Sequence, residues 1–341
     1  MPDPKVVSFS KALKGVAGGK QPKMLLGNGF SRACRDDLFS YHALYEQADQ
    51  TGLSADAKKA FRALGTTDFE QVMRMLKQAS KLAKEYGRGN LATKLNGLAD
   101  ELREVLVRTI ANNHPSRPHD IAQTRYRACK EFLSHFCDIY TVNYDLLLYW
   151  AVMQEEIEPD VDHDDGFRQP DDGPEEYVTW DVQKTNSQNI HYLHGALHLF
   201  DAGAELQKYT WSNTQIALID QIRDALKNDK YPLFVSEGTA QSKLDRIQHS
   251  GYLNRAYRSF ANIGGSLFIF GLSMAENDEH ILKLIDRTKC SHIAIGLYGK
   301  PDSKGNKQII ARSSTFGTKR KGAAPTIVFF DAASAEVWGA A

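Results

Sequence analysis

Short apolar runs that stop abruptly at a glycine or a polar side chain recur along this chain. Lys23 to Leu26 ends in Gly27-Asn28-Gly29-Phe30-Ser31, Asp138 to Val142 in Asn143-Tyr144-Asp145, and Asn189 to Leu193 in His194-Gly195. Runs of this length and bias read as strands buried on both faces of a parallel sheet. Further strands are expected at Pro232 to Val235, Ser266 to Phe270, Ser291 to Leu297 and Thr326 to Phe330. Helical spacing of apolar residues fills most of the gaps, as in Arg125 to Phe136, Leu146 to Met153, Thr214 to Leu226, Gly251 to Ala261 and Asp278 to Arg287. Alternating strands and helices predict an α/β fold, a Rossmann-like, mostly parallel sheet with helices on both faces.

No strand signal interrupts residues 52–120, which read as a helical insertion. Thr67-Asp68-Phe69-Glu70 has the form of a capping box, and behind it Phe69, Val72, Met73, Leu76 and Leu82 repeat at three and four residues. Residues 1–341 are therefore expected to form one α/β domain carrying this insertion. Two charged stretches read as surface. Glu155 to Glu176 holds eleven acidic residues against one arginine, without the spacing of a calcium loop, and suits a solvated loop. Lys300 to Lys321, with seven Lys or Arg, suits a mobile surface segment, and anion or polymer binding is the sharper reading.

Composition narrows the function classes. The chain has 341 residues, 42% of them hydrophobic, and its 42 basic and 42 acidic residues cancel. Zero net charge argues against a nucleic-acid binder working through bulk electrostatics. Cys34, Cys129, Cys137 and Cys290 form no CxxC pair, so no zinc ribbon is expected, and free thiols suit a reducing cytosol. Met1 to Phe9 lacks the apolar core of a signal peptide, and the apolar stretch around Leu267 to Leu272 is too short to span a bilayer. A cytoplasmic protein without membrane contact is the expectation.

The strand ends carry the candidate chemistry. In open α/β sheets ligands bind in the crevice beyond those carboxyl ends. Gly27-x-Gly29-x-Ser31 suits either an ordinary turn or the close approach of a pyrophosphate to a helix N-terminus, with Ser31 capping that helix or donating to phosphate. It lacks the third glycine of a dinucleotide fingerprint and the acidic residue about twenty positions on. Asn143 and Asp145 either cap the helix that follows or hold a ribose hydroxyl, a water or an amide. His191, His194 and His198 have spacings that would suit a metal on a helix, although Gly195 and strand geometry oppose that. A single imidazole base is the alternative, because its pKa near 6.5 lets it accept a proton at neutral pH. His194 is the best placed, with Gly195 behind it leaving room for a bulky ligand; a satisfied core histidine is the plainer reading.

The ordered set Gly-x-Gly-x-Ser, Thr141-x-Asn143-x-Asp145 and Leu193-His194-Gly195 resembles the sirtuin-like NAD-binding superfamily. Phe270-Gly271-Leu272-Ser273 resembles that family's later nucleotide motif, and Phe234-Val235-Ser236-Glu237-Gly238 falls where sirtuins have a short strand and turn. The block Phe268 to His280 looks like an uncharacterised bacterial branch of it. The resemblance covers residues 23–31 and about 138–298. It implies that Gly27, Gly29 and Ser31 meet the phosphates, with Phe30 in the same cofactor-binding turn, and that Gly271 and Ser273 touch the adenosine half. It further implies that Asn143 orients the nicotinamide ribose, Asp145 the carboxamide, and that His194 is the base. The zinc module of sirtuin deacetylases has no counterpart in the four cysteines, and Ser31-Arg32-Ala33-Cys34-Arg35 replaces the proline-aspartate-phenylalanine-arginine continuation of the glycine loop. Both departures match the NAD-hydrolysing effectors of bacterial antiphage systems. The implied function is an NAD glycohydrolase, with NAD as substrate and no zinc, working as a homo-oligomer or with an activating partner. The alternatives are a non-catalytic NAD or ADP-ribose sensor, a protein deacylase and an ADP-ribosyltransferase.

Overall fold

The computed structural model describes residues 5–16, 21–171, 173, 175–203, 205–228, 230–235, 240–318 and 323–339. Its strands, in chain order, are β1 (Val6–Val7), β2 (Lys23–Leu26), β3 (Asp138–Thr141), β4 (Phe167–Arg168), β5 (Tyr177–Trp180), β6 (Ile190–Tyr192), β7 (Leu199–Asp201), β8 (Leu206–Tyr209), β9 (Gly264–Phe270), β10 (Lys289–Leu297) and β11 (Thr326–Asp331). Seven of them form one sheet in the order β1-β11-β10-β9-β2-β3-β6, and every pairing in it is parallel. Within it β6-β3-β2-β9-β10-β11 reproduces the doubly wound 3-2-1-4-5-6 order.

The apolar runs have two faces because successive side chains point to opposite sides. Met24, Leu26, Ile139, Phe268 and Phe270 join one core; Leu25, Tyr140, Ile269, Ile293 and Ile295 join the other. The helical insertion packs into the first core through residues such as Phe61, Phe69, Val72, Leu102 and Ile110. Its α-helices are Ala55–Leu64, Phe69–Glu85 and Gly89–Asn113, the last two packed as a hairpin, and the preceding helix Tyr41–Thr51 packs against Gly89–Asn113. The second core is closed by Gly251–Ala261 and Glu279–Arg287, whose buried faces include Ala256, Phe260, Ile281 and Ile285.

Four expectations are corrected. Pro232 to Val235 is not a strand: Phe234 makes one isolated antiparallel bridge to Gly195. The acidic stretch is not simply solvated, because Phe167–Arg168 begins an antiparallel sheet of order β4-β5-β8-β7. There Asp164 holds Arg168, and Asp165 pairs with the buried Lys208 at 2.5 Å. The basic segment contains a helix, Lys304–Ser313, tied down by Asn306 bonding the carbonyls of Tyr298 (2.9 Å) and Lys300 (2.8 Å). Residues 319–322 of that segment lie outside the described residues. Finally, Asp68 rather than Thr67 caps the helix Phe69–Glu85, accepting from the Gln71 N–H at 3.1 Å.

Candidate functional site

Register brings the motifs to one level. Leu26, the last residue of β2, lies opposite Thr141 of β3 and Phe270 of β9, and Thr141 lies opposite Tyr192 of β6. The chain therefore leaves four adjacent parallel strands at one height, and a cleft of about 920 Å³ opens there. Its position between β2 and β9 is the topological switch point, where the doubly wound order reverses and ligands bind.

The floor of the switch point is backbone against backbone. The Gly27 N–H donates to the Phe270 carbonyl and the Gly29 N–H to the Gly271 carbonyl, each at 2.9 Å. A Cβ on Gly29 would sit 2.4 Å from the Gly271 Cα, and Gly271 itself has φ of 71°. The glycines are thus accounted for by this crossing of two chain segments. Gly29, Gly271 and Ser273 also line the cleft, together with Asn28 and Arg32. Phe30 is a core residue: its ring lies 5.2 Å from that of Trp338, whose indole N–H donates to the Phe30 carbonyl at 2.9 Å. Ser31 is fully buried, so neither of its expected roles, capping or direct phosphate contact, matches its bonding. Its hydroxyl donates to Asp145 Oδ2 at 2.5 Å and accepts from Asn143 Nδ2 at 3.0 Å.

Asn143 and Asp145 differ in what they leave available. Asn143 Nδ2 also donates to the Gly27 carbonyl at 3.0 Å, which fixes the orientation of the amide, since a carbonyl only accepts. Among the described residues no hydrogen bond reaches Asn143 Oδ1, and the side chain lines the cleft. Asp145 uses both oxygens, Oδ1 accepting from the Leu147 N–H at 2.9 Å at the start of the helix Leu147–Val152. Burial raises its pKa, against the lowering effect of the Ser31 and Leu147 hydrogen bonds. Asp145, one residue before the N-cap Leu146, thus serves the helix start through its bond to the Leu147 N–H, and Asn143 does not.

The three histidines diverge. His191 stacks on Tyr140 at 4.6 Å, and His198 lies among Tyr149 and Tyr192. Only His194 of the three lines the cleft, so they do not converge on a metal. Gly195 is not room for a ligand: with φ of 78° its Cβ would fall 1.9 Å from the Leu233 carbonyl oxygen, so the 233–235 segment packs there.

His194 meets a cluster of groups from elsewhere in the chain. Its Nε2 lies 2.8 Å from His280 Nε2, with the rings stacked at 5.0 Å. Lys243, fully buried, pairs with Glu70 at 2.7 Å and approaches Asp278 at 3.6 Å. The Tyr144 hydroxyl reaches Glu70 Oε1 at 2.7 Å, and its ring stacks 6.2 Å from His194. Burial holds the His194 pKa well below the usual imidazole value, and Lys243 and His280 add to it; burial and Lys243 bring His280 to about 3. Both rings are therefore neutral at pH 7, and the bond between them needs one Nε2 to carry the proton and the other to be bare. Burial works against the Lys243 ammonium, yet Glu70 and Asp278 outweigh it and raise its pKa. Asp278 rises to about 6 through burial, with Lys243 opposing and Glu70 reinforcing.

His194, Asp278 and His280 hold ligand-type atoms within 4.8 Å of one another, the spacing of a metal site. The Lys243 ammonium already stands as the cation beside Asp278. An internal charge partner and a His–His hydrogen bond account for the cluster without an ion.

Glu70, Lys243, Asp278 and His280 were not singled out as site residues in the sequence. The Glu70 signal resembled a helix cap, but with Asp68 in that role the Glu70 carboxylate turns to Lys243 and Tyr144. Asp278 and His280 sit in the block that follows Gly271-Leu272-Ser273, and their spacing at a helix start was the available clue. Ser236, Glu237 and Gly238, expected to form a turn nearby, lie outside the described residues.

Residues 24–338 match a family described as a domain of unknown function, DUF4917. The chain belongs to the DUF4917 family. Comparison with curated proteins finds no match. In this DUF4917 domain no helix among the described residues is long and apolar enough to cross a membrane.

Proposed function

We propose that this protein is a sirtuin-like NAD glycohydrolase, cleaving the nicotinamide–ribose bond to give nicotinamide and ADP-ribose. The observation that carries the reading is the meeting of Asn143 and His194 in one cleft at the switch point of a 3-2-1-4-5-6 sheet. A dinucleotide is the ligand class that such a crevice suits.

Asn143 offers an oxygen left unbonded among the described residues, whereas His194 must exchange its bond to His280 before it can act on a ligand. Nicotinamide leaves as a neutral group, so the chemistry asks mainly for a held ribose, a stabilised oxocarbenium-like centre and one oriented water. Asn143 Oδ1 accepts a ribose hydroxyl or that water. His194, neutral, takes the proton as the water adds, directly or through a ribose hydroxyl. Its depressed pKa makes it a weak base in the free protein, which suffices where the electrophile is already cationic. Glu70 and Asp278 hold the buried Lys243 ammonium, which adds to burial in keeping the His194–His280 pair neutral and so ready to accept a proton. Asp145 acts on this reading through Ser31, holding the turn that carries Asn143's hydrogen bonds.

The place of the protein as a bacterial antiphage effector belongs to the same proposal and rests on the resemblance. So does dependence on an activating partner or self-assembly. A non-catalytic NAD or ADP-ribose sensor is the second reading, favoured by the tie between the two histidine nitrogens, which occupies the base. Following nicotinamide release from NAD, with purified protein and in cells expressing it, separates the two. His194→Ala and Asn143→Ala should each abolish release while NAD still binds. Undiminished release in both variants would sink the mechanism.

A further inference from the structure

A second pocket, of about 620 Å³, lies between the connection leading into β6 and the helix Gly251–Ala261. It shares no lining residue with the main cleft. No Asp or Glu lines it, whereas Arg255 and Arg258 both do. Neither guanidinium has an ion pair or hydrogen bond among the described residues, although Asp and Glu are as common in this chain as Lys and Arg. One turn apart on one helix, the two cations repel each other with nothing between them.

His191 is the independent observation. It lines the same pocket, is 3% exposed, and neither ring nitrogen has a hydrogen-bond partner. A buried imidazole left unsatisfied costs stability unless something completes it. Stacking on Tyr140 fixes the ring in place. Asn186 and Asn254, which also line the pocket, add amide donors and acceptors.

We propose that this pocket binds a phosphorylated small molecule, its phosphate held by Arg255 and Arg258 and its polar remainder by His191 and the amides. Planar guanidiniums match phosphate oxygens two at a time. Burial, reinforced by Arg255, lowers the His191 pKa to about 4, so the ring is neutral at pH 7 and offers one donor and one acceptor, the complement of a hydroxyl. The assignment is independent of any chemistry in the main cleft.

Titration calorimetry of the full chain at fixed ionic strength, with inorganic phosphate and with ribose 5-phosphate, tests it. A binding event weakened at least about tenfold in Arg255→Ala/Arg258→Ala, and retained in Asn143→Ala, is expected, since charge-assisted hydrogen bonds to phosphate are lost. Arg258→Glu, at an exposed position, gives the same reading should the double variant fold poorly. Absence of binding at millimolar phosphate, binding indifferent to both arginine variants, or loss in Asn143→Ala alone would overturn the site. Exclusion of ribose 5-phosphate while inorganic phosphate binds would overturn the small-molecule assignment.

Discussion

The two sides of the main cleft are built on opposite principles. Where β2 and β9 end, Gly27, Gly29 and Gly271 let backbone cross backbone with no space for a side chain. Around His194 the wall is side chains, with Glu70 and Asp278 lining it and His280 and the buried Lys243 ammonium behind them, gathered from four distant parts of the sequence. The first side is explained by packing, whatever binds there. The second holds more polar groups than packing needs, at a cost in desolvation that folding alone does not reward. A glycine turn at a strand end is therefore weak evidence of a ligand, and a buried charged cluster beside an imidazole is stronger evidence.

Several changes would break or sharpen that contrast. Gly271→Ala should be the most damaging, because its Cβ meets Gly29 backbone at 2.5 Å and the residue has φ of 71°. A loss of about 3–5 kcal/mol is expected in denaturant unfolding, combining overpacking with the left-handed penalty. A near-neutral effect would show that the crossing gives way. Lys243→Met leaves Glu70 and Asp278 buried without their cation and should cost about 3 kcal/mol or more. If it is stabilising instead, the cluster is not held together by that ammonium.

Acid should expose the neutral histidines. His114, His191, His194, His198 and His280 all have pKa values lowered by burial, His114 and His191 to about 4 and His280 to about 3. In the unfolded chain each returns to about 6.5, so between those values the unfolded state binds more protons. Their contribution is present above pH 6.5 and drains away as pH falls toward 4. Asp278 acts in the opposite sense: its raised pKa makes ionisation costly, so its own contribution is present below about 4 and lost as pH rises through about 6. Melting temperature against pH should fall steeply below 6.5 in the wild type, and a flat profile would contradict buried neutral rings. The smallest effect is expected at the cap: Asp68→Ala should cost about 1 kcal/mol and Glu70→Gln more, because only Glu70 faces the buried ammonium. The reverse order would return Glu70 to a merely local role.

The sheet was legible because strands buried on both faces leave uninterrupted apolar runs, and six of the seven expected from the sequence formed. The antiparallel strands of the second sheet, two to four residues each, are too short to stand out as apolar runs, and the one inside the acidic stretch, β4, is flanked by Asp165, whose partner Lys208 is met only in three dimensions. Asn143 and His194 were visible because each ends a strand. Lys243 was not, because it lies within a helix, Ala240–His249, whose own pattern gives no reason for a buried ammonium. Glu70 was misread for the same reason: a local hydrogen-bonding signal and a long-range one use the same residue type.

A structure with bound NAD is the measurement on which the proposed function turns. The expected result is the pyrophosphate over the crossing of Gly29 and Gly271, with the nicotinamide ribose within about 3.2 Å of Asn143 Oδ1 and the His194 ring, directly or through one water. NAD bound elsewhere, or seated in the cleft with its nicotinamide ribose beyond reach of both side chains, would contradict it.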